Sequence, residues 1–242
     1  MRTNKLTIGI TFGICAYLAH GQGNFQNLDF ESATLSPVPP GPPPTWVSVS
    51  SAIPGWTAYL GAVQQAEVVQ NDYSLGQASI DIFGPNYPTA GNLPGAIPGI
   101  IDGNYSVLLQ QGGNPLGNGT LVNASIAQTG FVPLGSQSLQ FKAWTTPFTE
   151  FSVSFDGNNL SPVALGSGAN YTLYGVNISS YDGQTGPLEF TADFSGTGAS
   201  WLGLDDIAFS TQAVPEPSPV ILTGIGSLVL VLRRRWFRQT SS

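Results

Sequence analysis

Cysteine and histidine occur once each, at Cys15 and His20, and both fall in the first 21 residues. Beyond residue 21 the chain has neither. A Ser-His-Asp triad, a Cys-His pair and the usual zinc sites are therefore excluded there. No disulfide can staple the fold, which must rest on its core, helped at most by an oxygen-liganded ion such as calcium. Cations are almost as scarce. Two of the seven basic residues precede residue 6 and four follow residue 232, which leaves Lys142 alone between 22 and 213. Thirteen carboxylates share that stretch, for a net charge of −12. One lysine can neutralise few phosphates, so nucleic acid is disfavoured as a partner, as are phosphorylated or strongly anionic ligands unless a bound cation intervenes. A single lysine with no neighbouring signature also argues against Schiff-base chemistry.

Glycine and proline are plentiful, at 30 and 19 residues. With so few charges this composition favours short strands and many turns. Ser79-Ile80-Asp81-Ile82, Tyr105-Ser106-Val107-Leu108, Ser138-Leu139-Gln140-Phe141, Phe151 to Phe155 and Leu188 to Ala192 all alternate with period two. That is the pattern of half-buried antiparallel strands. Turn signals separate them at Asp102-Gly103-Asn104, Asp156-Gly157-Asn158 and Asp182-Gly183-Gln184. No amphipathic helix of useful length is visible between 22 and 213. The expectation is an all-β antiparallel sandwich. Two stretches break the rhythm: the proline-rich 36–45 reads as a surface loop, and 84–102 as a long loop at the rim of a binding face.

Both ends read as transport signals. Arg2 and Lys5 lead into an apolar stretch from Leu6 to Leu18, and Ala19-His20-Gly21 offers small residues for cleavage. A signal peptide over 1–21 and a mature start near Gln22 follow. At the other end Val214-Pro215-Glu216-Pro217-Ser218 precedes an apolar run from Val220 to Leu232, then Arg233, Arg234, Arg235, Trp236 and Arg238. Thirteen apolar residues make roughly 20 Å of helix, short of a hydrocarbon core of about 30 Å. The arginines put this end in the cytoplasm.

The tail, 214–242, resembles the PEP-CTERM sorting signal of Gram-negative bacteria, through Pro215, Glu216, Pro217, the transmembrane helix and the arginine cluster. The resemblance implies export, a transient stay in the inner membrane until an exosortase-type enzyme processes the chain near Pro215-Glu216-Pro217, and then a place at the cell surface or in the extracellular matrix. A plain C-terminal anchor that is never cut is the alternative.

The ectodomain, 22–213, carries a second resemblance. Asn27-Leu28-Asp29-Phe30-Glu31 with Pro54-Gly55-Trp56 resembles the opening of galactose-binding-like jelly-roll modules. Trp201-Leu202-Gly203-Leu204-Asp205-Asp206-Ile207-Ala208-Phe209 is similar to their closing strand. The resemblance implies a jelly roll with adjacent first and last strands that share a structural calcium. Glu31 and Asp206 would be its ligands, with Asp205 or Asp29 beside them.

Aromatic side chains can form sugar platforms. The pool is Trp46, Trp56, Tyr59, Tyr87, Trp144, Tyr171 and Tyr174. Trp56 belongs in the core by its setting; Trp144, beside Lys142, and Tyr87, in the long loop, are the surface candidates. Two functional classes follow: a non-catalytic surface or extracellular-matrix protein associated with extracellular polysaccharide, or a carbohydrate-binding module with a defined ligand. The remaining catalytic option is a glycosidase carboxylate pair drawn from Glu67, Asp72, Glu150 and Glu189.

Overall fold

A computed structural model describes residues 24–36, 44–72, 76–85, 99–115, 117, 119–146, 149–193 and 200–215. The expected signal peptide, Glu216, Pro217, the apolar run, Arg233 to Arg235 and the loop residue Tyr87 lie outside these. Among the described residues no helix is long and apolar enough to cross a membrane.

The chain forms β1 (Thr45–Ser48), the single-turn helix α1 (Val49–Ala52), β2 (Thr57–Leu60), β3 (Val63–Gln65), β4 (Glu67–Gln70) and β5 (Ser79–Phe83). Next come β6 (Ser106–Gln110), β7 (Gly112–Gly113), β8 (Leu121–Val122), β9 (Ala124–Phe131), β10 (Ser138–Thr145) and β11 (Glu150–Phe155). The chain then runs through β12 (Asn158–Leu160), β13 (Val163–Ser167), β14 (Thr172–Asn177), a 3-10 turn at Ser179–Tyr181, β15 (Thr185–Asp193) and β16 (Trp201–Ser210). One sheet has eight strands in the order β1-β4-β5-β6-β16-β10-β14-β13, and the other six in the order β12-β11-β15-β9-β2-β3. β7 and β8 form a separate small ribbon. The architecture is the expected all-β sandwich.

Period-two alternation decides which side chains enter the core. In β10, Leu139, Phe141 and Ala143 point inward and are buried; in β15, Leu188, Phe190 and Ala192 do the same from the other sheet. Phe141 and Phe190 meet edge to face with ring centroids 5.1 Å apart. Trp56 is 4% exposed, as its setting predicted, and packs on Phe30 and Phe190. Its indole N–H donates to Asn27 O at 3.0 Å. Burying one such side chain contributes about 1.5–3 kcal/mol.

Four expectations need correction. Asn27 to Glu31 is not a strand: it is a turn segment with positive φ at Asn27 (51°) and Phe30 (57°). The first strand is β1, at the edge of the larger sheet with three strands between it and β16, so the first and last strands are not adjacent; the 27–31 turn lies against the last strand instead, because Ile207 N donates to Leu28 O at 2.9 Å. The backbone twists there so that Leu28 and Phe30 can both enter the core. The sheets are not wholly antiparallel either, since β4 and β5 run parallel with Val69 opposite Asp81. Nor are β6 and β5 half-buried, as the alternation at Tyr105–Leu108 and Ser79–Ile82 suggested: all five residues of each are buried, and in β5 Asp81 completely. The polar positions of β5 are absorbed inside the fold, where Ser79 Oγ donates to Asp81 Oδ2 at 2.8 Å.

An acidic pocket and an aromatic groove joined by Lys142

The geometry of the candidate site starts from a bulge in β16. Gln140 pairs with Ala208 and Lys142 with Asp205, so Asp206 and Ile207 together oppose Phe141 alone. Asp206 takes φ 46° to allow it, a conformation aspartate tolerates better than most residues. The extra residue lets Asp206 stand exposed beside the buried Asp205 while Leu204 and Ile207 on either side remain in the core. This is the physical content of the Leu-Asp-Asp-Ile run.

Asp205 is 1% exposed. Its Oδ2 accepts from Ser106 Oγ at 2.6 Å and Asp102 N at 3.0 Å, and its Oδ1 from Asp206 N at 2.7 Å. Burial pushes its pKa up to about 7, against the pull of those bonds. Glu31 reaches across from the N-terminal segment: Oε1 accepts from Asn104 N at 2.6 Å and Tyr105 N at 3.0 Å, and Oε2 from Asn104 Nδ2 at 2.9 Å. Gly103, at φ 58°, passes so close to the Glu31 carboxylate that a Cβ would collide with it. The two ends of the domain are thus tied together through the Asp102–Tyr105 turn. Asp29, Glu31, Asp102, Gly103, Asp205 and Asp206 line one cavity of about 200 Å³.

Lys142 projects from β10 into the same cluster. Its Nζ pairs with Asp102 Oδ2 and, at 2.8 Å, with Asp206 Oδ2. Burial alone would lower the lysine pKa, but the two carboxylates overcome this and raise it. In return the ammonium, with help from the Gly103 N–H, holds the Asp102 carboxyl below its usual range. The ammonium also lies 5.2 Å from the centre of the Tyr171 ring.

Tyr171 leads to the second feature. Trp144 follows Lys142 by two residues on the same face of β10, and with Tyr171 it lines an open groove of about 460 Å³. Thr145, Ser167, Asn170 and Thr172 supply hydroxyl and amide groups around it. Trp144 is half-buried and packs with Trp201 and Ile100 against Phe83 and Leu108, which fixes the indole as a platform. Asn170 is anchored by a 3.1 Å bond from its Nδ2 to Ile100 O.

The structure therefore gathers the expected metal residues Glu31, Asp205 and Asp206 into one cavity and puts Trp144 in a groove next to it. Asp102 and Gly103, read from the sequence only as a turn, belong to the same cavity. The donor set is rich in oxygen and short of positive charge, as calcium requires. Among the described residues no three His, Cys, Asp or Glu side chains converge on one point. Of the other aromatics, Tyr174 stacks on Phe141 in the core, and Trp46 stands 55% exposed on the edge strand β1. The four carboxylates considered for catalysis are divided. Glu67 and Asp72 belong to the β4 region of the larger sheet, Glu150 and Glu189 to the smaller. Glu150 pairs with Asp193, four residues beyond Glu189, so the two glutamates stand roughly 14 Å apart along the strands.

No family model matches the chain, and no curated protein matches it. Among solved structures it is similar to the enzymatically active domain of tailspike protein 4 of bacteriophage CBA120. The identity is 13% and the TM-score 0.33, over 64% of this chain and 19% of the tailspike domain. The chain thus spans about a fifth of that protein's length, and so distant a likeness carries no functional argument.

Proposed function

We propose that this is an exported, non-catalytic cell-surface or extracellular-matrix protein that associates with extracellular polysaccharide through the Trp144–Tyr171 groove. The observation that carries the reading is the pairing of two ring systems with hydroxyl and amide groups in one open groove. Sugars offer apolar C–H faces to rings and hydroxyls to such polar groups.

The sandwich is read as a galactose-binding-like jelly roll on the strength of its two terminal motifs, which meet at the Asp205–Asp206 bulge. Calcium in the acidic pocket would be held by Glu31, Asp205 and Asp206 and would supply positive charge where only Lys142 now does so. The tail motif Pro215-Glu216-Pro217 is read as the site where an exosortase-type enzyme releases the protein from the inner membrane.

Two measurements test this. Mass spectrometry of the protein from the cell surface should find no peptide containing Trp236; its recovery in most molecules would mean a permanent anchor. Retention on matrix polysaccharide extracted from the producing strain should fall at least tenfold in Trp144→Ala. Equal retention of that variant would remove the groove from the proposal.

A further inference from the structure

The other outer face of the sandwich carries a larger depression. It measures about 760 Å³ and runs over the six-stranded sheet, with Asn123, Ser125, Glu150, Glu189, Thr191 and Asp193 among its lining. That volume lies within the range of about 300–1,000 Å³ usual for ligand sites. The residues face outward because their neighbours face in: Ile126, Phe190 and Ala192 belong to the core, and Ser125 and Thr191 alternate with them. Ser125 is nevertheless only 5% exposed, so the depression has a floor rather than a flat sheet surface. Its wall is the β8 segment, where Leu121 remains 50% exposed at the rim.

We infer that this depression is a second glycan-binding surface, so that one domain bridges two neutral polysaccharide chains. The inference rests on the reading of the Trp144 groove as the first. Three carboxylates line the depression, and none of its lining residues is basic. Ionised carboxylates only accept hydrogen bonds, so a ligand must bring donors. Glu150 and Asp193 stand directly opposite on neighbouring strands, an arrangement that costs stability between like charges. A polyhydroxylated, uncharged chain supplies donors to both without adding negative charge. A polyuronate is repelled. The Ser125 and Thr191 hydroxyls both donate and accept, and Leu121 offers an apolar contact to a sugar face. The two grooves open to opposite sides, since the Lys142–Trp144 face of β10 and the Ser125–Thr191 face of β9 and β15 both point away from the common core. A short oligosaccharide cannot span from one groove to the other on the same molecule, and when polymer chains are in excess over protein double occupancy joins separate chains, so that linked sites gain avidity.

The test uses the protein purified from the cell surface with a soluble neutral β-glucan, a galactomannan and a dextran, and polygalacturonate as the anionic comparison. Retention on the immobilised polymer and turbidity of its solution are measured together. Thr191→Tyr fills the second groove with a residue suited to a strand, and Trp144→Ala empties the first; melting temperature checks that each folds. The expected result is retention and turbidity with at least one neutral polymer and neither with polygalacturonate. Each single variant should keep weakened retention, at least tenfold down, and lose turbidity; the double variant should lose both. Turbidity in Thr191→Tyr equal to the parent would overturn the inference while leaving the Trp144 groove in place. Loss of all retention in Trp144→Ala alone would overturn it too, by leaving one site. If Trp144→Ala has no effect and Thr191→Tyr removes retention, the first reading fails, and with it bridging. Retention by none of the neutral polymers, or equal retention by polygalacturonate, also overturns it.

Discussion

The Lys142 ammonium lies over the Tyr171 ring, 5.2 Å from its centre, while it is paired with Asp102 and Asp206. One side chain thus borders both the acidic pocket and the aromatic groove, and it is the only cation available to either from residues 22 to 213.

Replacing it tests how the two are coupled. Lys142→Met keeps much of the stem and removes the charge. The partner carboxylates are about half exposed, so solvent screens them and the loss of stability should be small, about 1 kcal/mol. Urea unfolding reads it. A midpoint unchanged from the parent would mean that the ion pairs contribute nothing.

Asp81 gives a pH dependence of defined sign. It is fully buried in β5, and burial raises its pKa well above the usual carboxylate value, with the charge of Asp72 adding to the rise and the Ser79 hydroxyl opposing it. The folded chain therefore keeps a proton that the unfolded chain releases above about pH 4. Its contribution to stability is full below that pH and is lost as pH rises towards the folded pKa. Asp81→Asn has no such proton to keep. Melting curves at pH 4, 5.5 and 7 should show the variant gaining on the parent with each step. A constant difference across the three would mean that Asp81 ionises alike in both states.

The core prediction is larger. Phe190 touches Phe141 and Trp56 and is fully buried at the junction of the two sheets. Phe190→Ala should cost about 3–5 kcal/mol, measured by urea unfolding of both proteins. A loss below about 1 kcal/mol would mean that the two sheets repack across the gap.

The strands at Ser138–Phe141, Phe151–Phe155 and Leu188–Ala192 were legible because their alternation reports directly which side faces the core. Alternation misled at Ser79–Ile82, where serine and aspartate suggest solvent but are buried behind the sheet. Period two says that the faces differ, not that one of them is wet. Asn27–Glu31 misled for another reason: its side chains enter the core from a turn with left-handed residues, which leaves no periodic trace. Glu31, Asp205 and Asp206 could be brought together from terminal motifs because those motifs lie side by side in the fold. Asp102 and Gly103 could not, since Asp-Gly-Asn is a common turn sequence. Only the long-range approach of Glu31, Lys142 and Asp205 gives it another role. The β-bulge itself is invisible in sequence, although two adjacent aspartates between Leu204 and Ile207 break the alternation at that point.

Calcium is the remaining prediction, and its logic is charge balance. Asp29, Glu31, Asp102, Asp205 and Asp206 border one small cavity against the single ammonium of Lys142. A divalent cation that binds only the folded state stabilises it by mass action, by about 2.7 kcal/mol at a hundred times its dissociation constant. For a domain of this size that corresponds to roughly 5–10 °C in melting temperature. Millimolar calcium should therefore raise the melting temperature and EDTA should reverse it. Magnesium should do less, because it demands tighter octahedral geometry and gives up its water reluctantly. Asp206→Ala loses both a proposed ligand and the Lys142 pair, so its lower stability alone decides nothing; what matters is its response. The variant should be insensitive to calcium and EDTA, while Lys142→Met, which keeps every carboxylate, should respond at least as strongly as the parent. A parent protein that melts at one temperature in calcium and in EDTA would leave the pocket held by its hydrogen bonds and Lys142 alone.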